Sequence, residues 1–146
     1  MSYATAAEFR QRTGESVFDE IYAVPTGSDL SGLPGIADDL ESACAEIDGA
    51  IAVRYARPVT GERSLALLKD WNLTLAEERA SARPAGGDFT GKVKRRADQV
   101  RKYLDMIRAD EFKLPDAAEN TSGSGGTIAL VRRDEPIFDR EKMEGF

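Results

Sequence analysis

Apolar residues recur at spacings of three and four along most of the chain, the pattern of helices that each bury one face. Near the N-terminus this pattern predicts two short helices, the second running from about Glu15 to Tyr22. The first should begin at a capping box, in which Thr5 and Glu8 satisfy each other's backbone amides. A stretch rich in proline and glycine follows, so we expect a loop before the next helix.

Three longer helices are predicted further along the chain. The first begins near Pro34 and is expected to continue until Pro58 ends it. The second begins near Glu62 and ends in residues 83–87, and the third spans roughly Gly91 to Ala109. Their apolar stripes comprise, in chain order, Ile36, Leu40, Ala43, Cys44, Ile47 and Ile51; Leu65, Leu68, Trp71, Leu75 and Ala76; and Val93, Ala97, Val100, Leu104 and Ile107.

The composition changes after residue 115. Residues 116–126 are predicted to be a flexible linker on their glycine and serine content, and residues 127–146 an extended arm with β character. We therefore predict an all-α fold, a small helical bundle over residues 1–115, carrying this C-terminal arm.

The predicted arm is unusually apolar for a tail that follows such a linker. Each large apolar side chain left in water forgoes roughly 1.5–3 kcal/mol of burial. We therefore expect the arm to dock on another subunit, with strand addition as one known mode, and folding back on its own domain as the alternative. The residues expected to dock are Ile128, Leu130, Val131, Ile137, Phe138, Met143 and Phe146.

Composition argues against catalysis. The chain of 146 residues has no histidine and a single cysteine, so it lacks the commonest general base and any thiolate metal cage. We expect no enzyme activity, no cofactor and no metal site. The sequence also shows no apolar run near the roughly 20 residues that span a bilayer, and no secretion signal, so we expect no membrane partner.

Charge is segregated between two of the predicted helices. We expect their side chains to pair within or between subunits, since head-to-tail contacts of opposite charge can close into rings. The acidic residues are Asp38, Asp39, Glu41, Glu46 and Asp48, and the basic residues are Lys92, Arg95, Arg96, Arg101 and Lys102.

Two other functions are compatible with these charged helices. The basic helix 91–109 could bind nucleic acid, although the net charge of −6 disfavours general phosphate binding. The acidic helix could hold magnesium in a helical hydrolase, but Glu41 and Glu46 are five residues apart and diverge around the helix. The pairing interpretation needs neither a nucleic acid nor a metal.

Four segments make the chain resemble the Mu-like phage neck proteins, a family of small head–tail connector adaptors. They lie in the family's order over nearly the whole chain, and the second of them, with its Glu-Ile-Asp-Gly run, is the most specific. The segments are Tyr3-Ala4-Thr5, residues 45–58, residues 101–108 with Leu114-Pro115, and residues 138–146.

The resemblance implies a virion protein of the phage neck, present in the host cytoplasm during assembly. It implies a homo-oligomeric ring, a dodecamer matching the portal, with the arm docked on the portal protein. The next neck or tail component, a stopper or tail terminator, would bind the opposite side. DNA would pass through the lumen without sequence readout, and for that reason we expect carboxylates to outnumber Lys and Arg on the lumen wall.

Overall fold

The computed structural model describes residues 2–85 and 90–120, and these residues form an all-α fold, as predicted. The predicted arm at 127–146, with all seven residues expected to dock, lies outside the described residues, as does the linker from residue 121. The helices are α1 (Ala6–Thr13), α2 (Glu15–Tyr22), α3 (Pro34–Ile51), α4 (Glu62–Ser81) and α5 (Thr90–Arg108), with a 3₁₀ turn at Leu30–Gly32.

The α1–α2 pair forms as the sequence predicts. Thr5 and Glu8 make the capping box, with the Glu8 amide donating to the Thr5 hydroxyl at 3.3 Å and the Thr5 amide donating to the Glu8 carboxylate at 2.9 Å. Gly14 joins the two helices at φ +96°, a conformation that glycine adopts without a Cβ penalty. The rings of Phe9 and Phe18 then meet edge to face at a centroid distance of 5.3 Å, which closes this pair over the core.

Helix α4 lies at the centre of the bundle. It packs against both α3 and α5, while α1 covers a further side, and every residue from 71 to 77 is buried. The apolar stripe predicted for this helix is correct for Leu68, Trp71, Leu75 and Ala76. It is wrong for Leu65, which is 37% exposed because it faces a surface groove beside Pro58 rather than a neighbouring helix.

Helix α3 ends at Ile51, well before Pro58, where its end was predicted. The backbone beyond it pairs with the segment that follows α5 instead of continuing the helix. The Ala56 amide donates to the Ala118 carbonyl at 3.0 Å, and the Asn120 amide donates to the Arg54 carbonyl at 2.7 Å. The helix thus ends before the proline, in a turn in which the Arg54 and Tyr55 amides donate to the Ile51 carbonyl, and the chain then pairs with the segment after α5.

The segment after α5 is also tied to the start of α4. Both carboxylate oxygens of Asp116 accept backbone N–H groups of the first turn, from Arg63 and Ser64, each at 2.8 Å. Helix α4 has no cap from its own N-terminal residue Gly61, so Asp116 supplies one from a distance. The packed part of the chain therefore reaches at least Asn120, further than the boundary expected at 115.

Helix α5 matches its prediction closely. All five residues of its predicted stripe, from Val93 to Ile107, are buried against α4 and α3. Tyr103, beside that stripe, is partly buried and stacks on Trp71 with ring centroids 5.9 Å apart. The opposite side of the helix carries charged residues and faces solvent.

Candidate interaction surface

An ion-pair network joins the three long helices. Arg101 of α5 donates from Nε to Glu46 of α3 at 2.8 Å and from Nη1 to Glu78 of α4 at 2.9 Å. Arg79 of α4 donates to the other oxygen of Glu46 at 2.8 Å. Burial opposes ionisation of Glu46, but the hydrogen bonds from the two arginines outweigh it and hold the pKa of this carboxyl below its usual value. Glu46 and Arg101 are therefore partners within one chain.

Asp39 also finds its partners inside the chain. It accepts from Arg83 Nε at 2.9 Å and from the Tyr22 hydroxyl at 2.5 Å. Burial, followed by the hydrogen bond to Asp39, raises the pKa of Tyr22. The hydrogen bond to Asp39 likewise raises the pKa of Arg83. This contact anchors α2 and the end of α4 on α3.

Asp48 lies one turn from the end of α3 and binds the N-terminal segment. It accepts from the Tyr3 hydroxyl at 2.5 Å and pairs with Arg57 at 3.1 Å. The neighbouring Cys44 is buried in the core, as predicted, with its Sγ 4.0 Å from the Asp48 carboxylate. Burial raises the pKa of this thiol, which keeps it in the less reactive protonated form.

Other charged residues of these two helices point into solvent. Asp38 and Glu41 of α3 are exposed, and neither forms an ion pair within residues 2–85 and 90–120. The same holds for Lys92, Arg95 and Lys102 of α5. We refer to Asp38 and Glu41 as the acidic face, and to Lys92, Arg95 and Lys102 as the basic face. Pairing between subunits, predicted for the full set of ten residues, stays a prediction.

Glu77 is a buried carboxylate between α1 and α5. Its side chain is only 2% exposed, and the nitrogens of Arg12 and Arg96 approach its Oε2 at 3.7 Å each. That oxygen has no hydrogen-bond partner among the described residues. Burial raises the pKa of Glu77, and the two arginines oppose that rise. Arg96, the fifth basic residue predicted to pair between subunits, is thus partly neutralised within the chain.

A groove of about 780 Å³ opens beside the N-terminal segment. Tyr3, Pro58 and Leu65 supply apolar surface to its lining, and Asp48 and Lys69 add opposite charges. Within the part of the chain that the structure describes, no three His, Cys, Asp or Glu side chains come together as metal ligands. None of the helices described there has the length and apolarity to cross a membrane.

The partners that sequence reasoning missed lie on α4 and in the loops. Glu78 and Arg79 follow directly after the buried run of α4. Arg83 lies just beyond the end of α4, and Arg57 lies in the loop between α3 and α4. No periodicity identifies such residues, because their roles depend on which helices become neighbours. The one available signal is charge balance, since an acidic helix within a packed bundle requires basic residues on the elements that cover it.

The chain matches the sequence model of a known protein family. The sequence model of the family described as Bacteriophage Mu, Gp36 matches residues 3–131. The matched range covers the whole helical bundle and continues into the predicted arm as far as Val131. No curated protein and no solved structure matches the chain.

Proposed function

Because the chain belongs to the Bacteriophage Mu Gp36 family, we propose that this Mu-like phage protein is a structural head–tail connector, an adaptor in the neck of the virion. The family membership itself indicates a structural, virion-related phage protein. The neck position and the connector role are our additions. Its place would be the virion neck, reached from the host cytoplasm during assembly.

In this proposal the copies form a ring below the portal, a dodecamer in register with it. The arm at 127–146 docks on the portal protein, and the far side of the ring receives the next neck or tail component. DNA passes through the lumen without sequence-specific contacts. A lumen wall in which carboxylates outnumber Lys and Arg would let phosphates pass without being held.

The observation that carries the proposal is the extent of the family match. It continues past Asn120, the last residue with described contacts, and includes Ile128, Leu130 and Val131 of the predicted arm. A match that extends beyond the packed domain supports a domain and a docking segment that belong to one functional unit. The role assigned to those residues agrees with their apolar chemistry.

The geometry of the acidic residues also supports a structural role over metal-dependent hydrolysis. Glu46 lies between two arginines, and Asp48 binds Arg57 and the Tyr3 hydroxyl. A carboxylate whose charge is already neutralised by arginine is a poor ligand for a divalent cation. These side chains hold the bundle together. We therefore expect no enzymatic activity.

Binding to purified portal protein tests the proposal. The full chain is compared with a chain truncated after Asn120, which keeps every described contact, and circular dichroism checks that the truncated form is folded. We expect the full chain to be retained by the portal and the truncated chain to be lost. A full-length variant with Ile128, Leu130 and Val131 changed to Ser keeps the length of the chain and should also fail to bind the portal.

Equal retention of the full and truncated chains would move the contact from the arm to the helical bundle. Retention of neither would remove the support for the adaptor role.

One observation favours a second candidate, a nucleic-acid-associated protein. Lys92, Arg95 and Lys102 are exposed on one face of α5 and form no ion pair among the described residues. Duplex DNA binding that weakens steeply with salt, and that is lost in Arg95→Glu, would favour this candidate. The adaptor role predicts no such binding.

A further inference from the structure

The structure separates the charges of α3 and α5 into two groups. Asp39, Glu46, Asp48 and Arg101 are each bound by an oppositely charged side chain of the same protomer. The acidic face and the basic face have no such partner among the described residues. The ion-paired residues stabilise the fold. The acidic and basic faces are therefore the charged surfaces of these helices that a partner could bind.

The basic face forms a continuous stripe on α5. Lys92, Arg95, Gln99 and Lys102 follow one another at spacings of three, four and three, so they lie on one side of the helix, and all four are exposed. The nearby acid Asp98 is directed to Arg101 at 3.6 Å. The helix's other acid, Asp105, pairs with Arg108 at 3.1 Å. Among the described residues, neither acid therefore forms an ion pair with Lys92, Arg95 or Lys102.

The acidic face has a different shape. Asp38 and Glu41 are three residues apart on the outer side of α3, where the other exposed positions include Ala37, Ala45 and Gly49. A Cβ added to Gly49 would meet no atom within 4 Å, so the surface there is open. Asp38 and Glu41 are thus surrounded by small side chains. Long Lys and Arg side chains can therefore approach this side of the helix closely.

We propose that the occupant of the basic face is the acidic face of a second copy of this chain. The faces are complementary in charge, and long cationic side chains meet short anionic ones among small residues. The contact joins two different surfaces, so it is head to tail and can repeat from copy to copy until a ring closes. This inference rests on the proposed function, and it identifies the helices that meet between neighbours.

A second copy accounts for both faces at once, whereas a nucleic acid accounts for the basic face only. The net charge of −6 also repels phosphates at long range, so a duplex would approach against the field of the whole protein. With the basic residues covered by neighbours, the surface left toward passing DNA is more acidic. That is the property expected of the lumen.

Zero-length cross-linking tests the contact directly. A carbodiimide joins Lys to Asp or Glu only where the two side chains touch. Full-length chain labelled with nitrogen-15 is mixed with unlabelled chain, alone at high concentration and with portal protein, and the products are mapped by mass spectrometry. We expect mixed-isotope links from Lys92 or Lys102 to Asp38 or Glu41. Links between copies that involve only other residues would overturn the inference.

Charge reversal provides a second test. Asp38→Lys with Glu41→Lys, and Lys92→Glu with Arg95→Glu, should each weaken self-association by about tenfold or more. An equimolar mixture of the two variants should restore association to within about threefold of the wild type, because the reversed faces complement each other. The matched control, Glu15→Lys with Glu20→Lys, changes the charge of two exposed residues on α2 and should leave association unchanged.

The outcomes separate this inference from the proposed function. Failure of the mixture to associate while both variants remain folded would overturn the contact, and so would a control that weakens association as much. Portal binding that survives these results would leave the adaptor role standing. Duplex DNA binding that disappears in Lys92→Glu with Arg95→Glu would assign the basic face to nucleic acid instead.

Discussion

Glu46 and Glu41 lie on the same helix and carry the same charge, but their surroundings differ. Glu46 forms ion pairs with two arginines, whereas Glu41 faces solvent. The adjacent residues Arg101 and Lys102 show the same contrast on α5, because Arg101 pairs with Glu46 and Lys102 is exposed. The sequence determines the sign of each side chain's charge. The packing of the helices determines whether its ion-pair partner lies in the same chain. The two helices therefore contain two sets of charged residues. The internal set, Asp39, Glu46, Asp48 and Arg101, forms ion pairs that stabilise the bundle. The external set, the acidic face and the basic face, has no ion-pair partner among the described residues.

The largest effect should come from removing the centre of the internal set. Arg101→Met is expected to lower the free energy of unfolding by about 1–2 kcal/mol, a value reduced for solvent screening because the Arg101 side chain is 38% exposed. Its neighbour Lys102→Met is the matched control and should change stability by less than about 0.5 kcal/mol. Urea denaturation of both variants measures the difference, and equal losses would contradict the division into two sets.

A smaller loss is expected at the distant cap of α4. Asp116→Ala removes the acceptor of the Arg63 and Ser64 amides and should lower the Tm by less than Arg101→Met does. The hydrogen bond from Ser64 lowers the pKa of Asp116, as expected for a carboxylate that is bound in its ionised form. Asp116→Asn keeps an acceptor oxygen and should recover part of the Tm. A Tm unchanged in Asp116→Ala would show that α4 needs no cap.

The pH dependence should distinguish Glu46 from Glu77. The lowered pKa of Glu46 means that its contribution to stability is present above the ordinary pKa of 4.5 and is lost as the pH falls through its lower folded value. Burial raises the pKa of Glu77, so its contribution is present at low pH and is lost as the pH rises. We therefore subtract the free energy of unfolding of each variant from that of the wild type. This quantity should fall in acid for Glu46→Gln and rise in acid for Glu77→Gln.

Unfolding curves collected from pH 7 downward check this prediction. If both differences changed in the same direction, one of the two environments would be wrongly assigned.

The smallest effect on stability should come from the external set. Asp38→Lys with Glu41→Lys is expected to shift the free energy of unfolding by no more than about 0.5 kcal/mol per residue, because neither side chain has a partner within the described chain. A thermal melt at low protein concentration measures this without a contribution from assembly. A loss as large as that of Arg101→Met would mean that the acidic face supports the fold itself.

The sequence predicts α5 well and α4 less well, for a physical reason. Helix α5 is covered on one side only, so its buried residues follow a single stripe that periodicity detects. The middle of α4 is covered by α1, α3 and α5, so even Asn72 and Glu77 are buried and the buried residues are not confined to the predicted stripe. Leu65 looked like part of a stripe because its spacing fits, but it lies beyond the neighbouring helices.

Features that join distant parts of the chain escaped prediction altogether. The cap of α4 comes from Asp116, and the backbone just after α3 pairs with residues 118–120. The internal charge set depends in the same way on Arg79 and Arg101 lying opposite Glu46. Local sequence patterns predict the helices and the sign of the charge that each one carries. The contacts between helices depend on how the helices are arranged in space.

The mass of the complex that this chain forms with purified portal protein tests whether it is a ring-forming adaptor on the portal. Native mass spectrometry of the full chain mixed with portal rings should give one discrete species, carrying one copy of this chain for each portal subunit. Free portal rings alone, or a continuous distribution of bound copies with no preferred number, would contradict the proposed adaptor role.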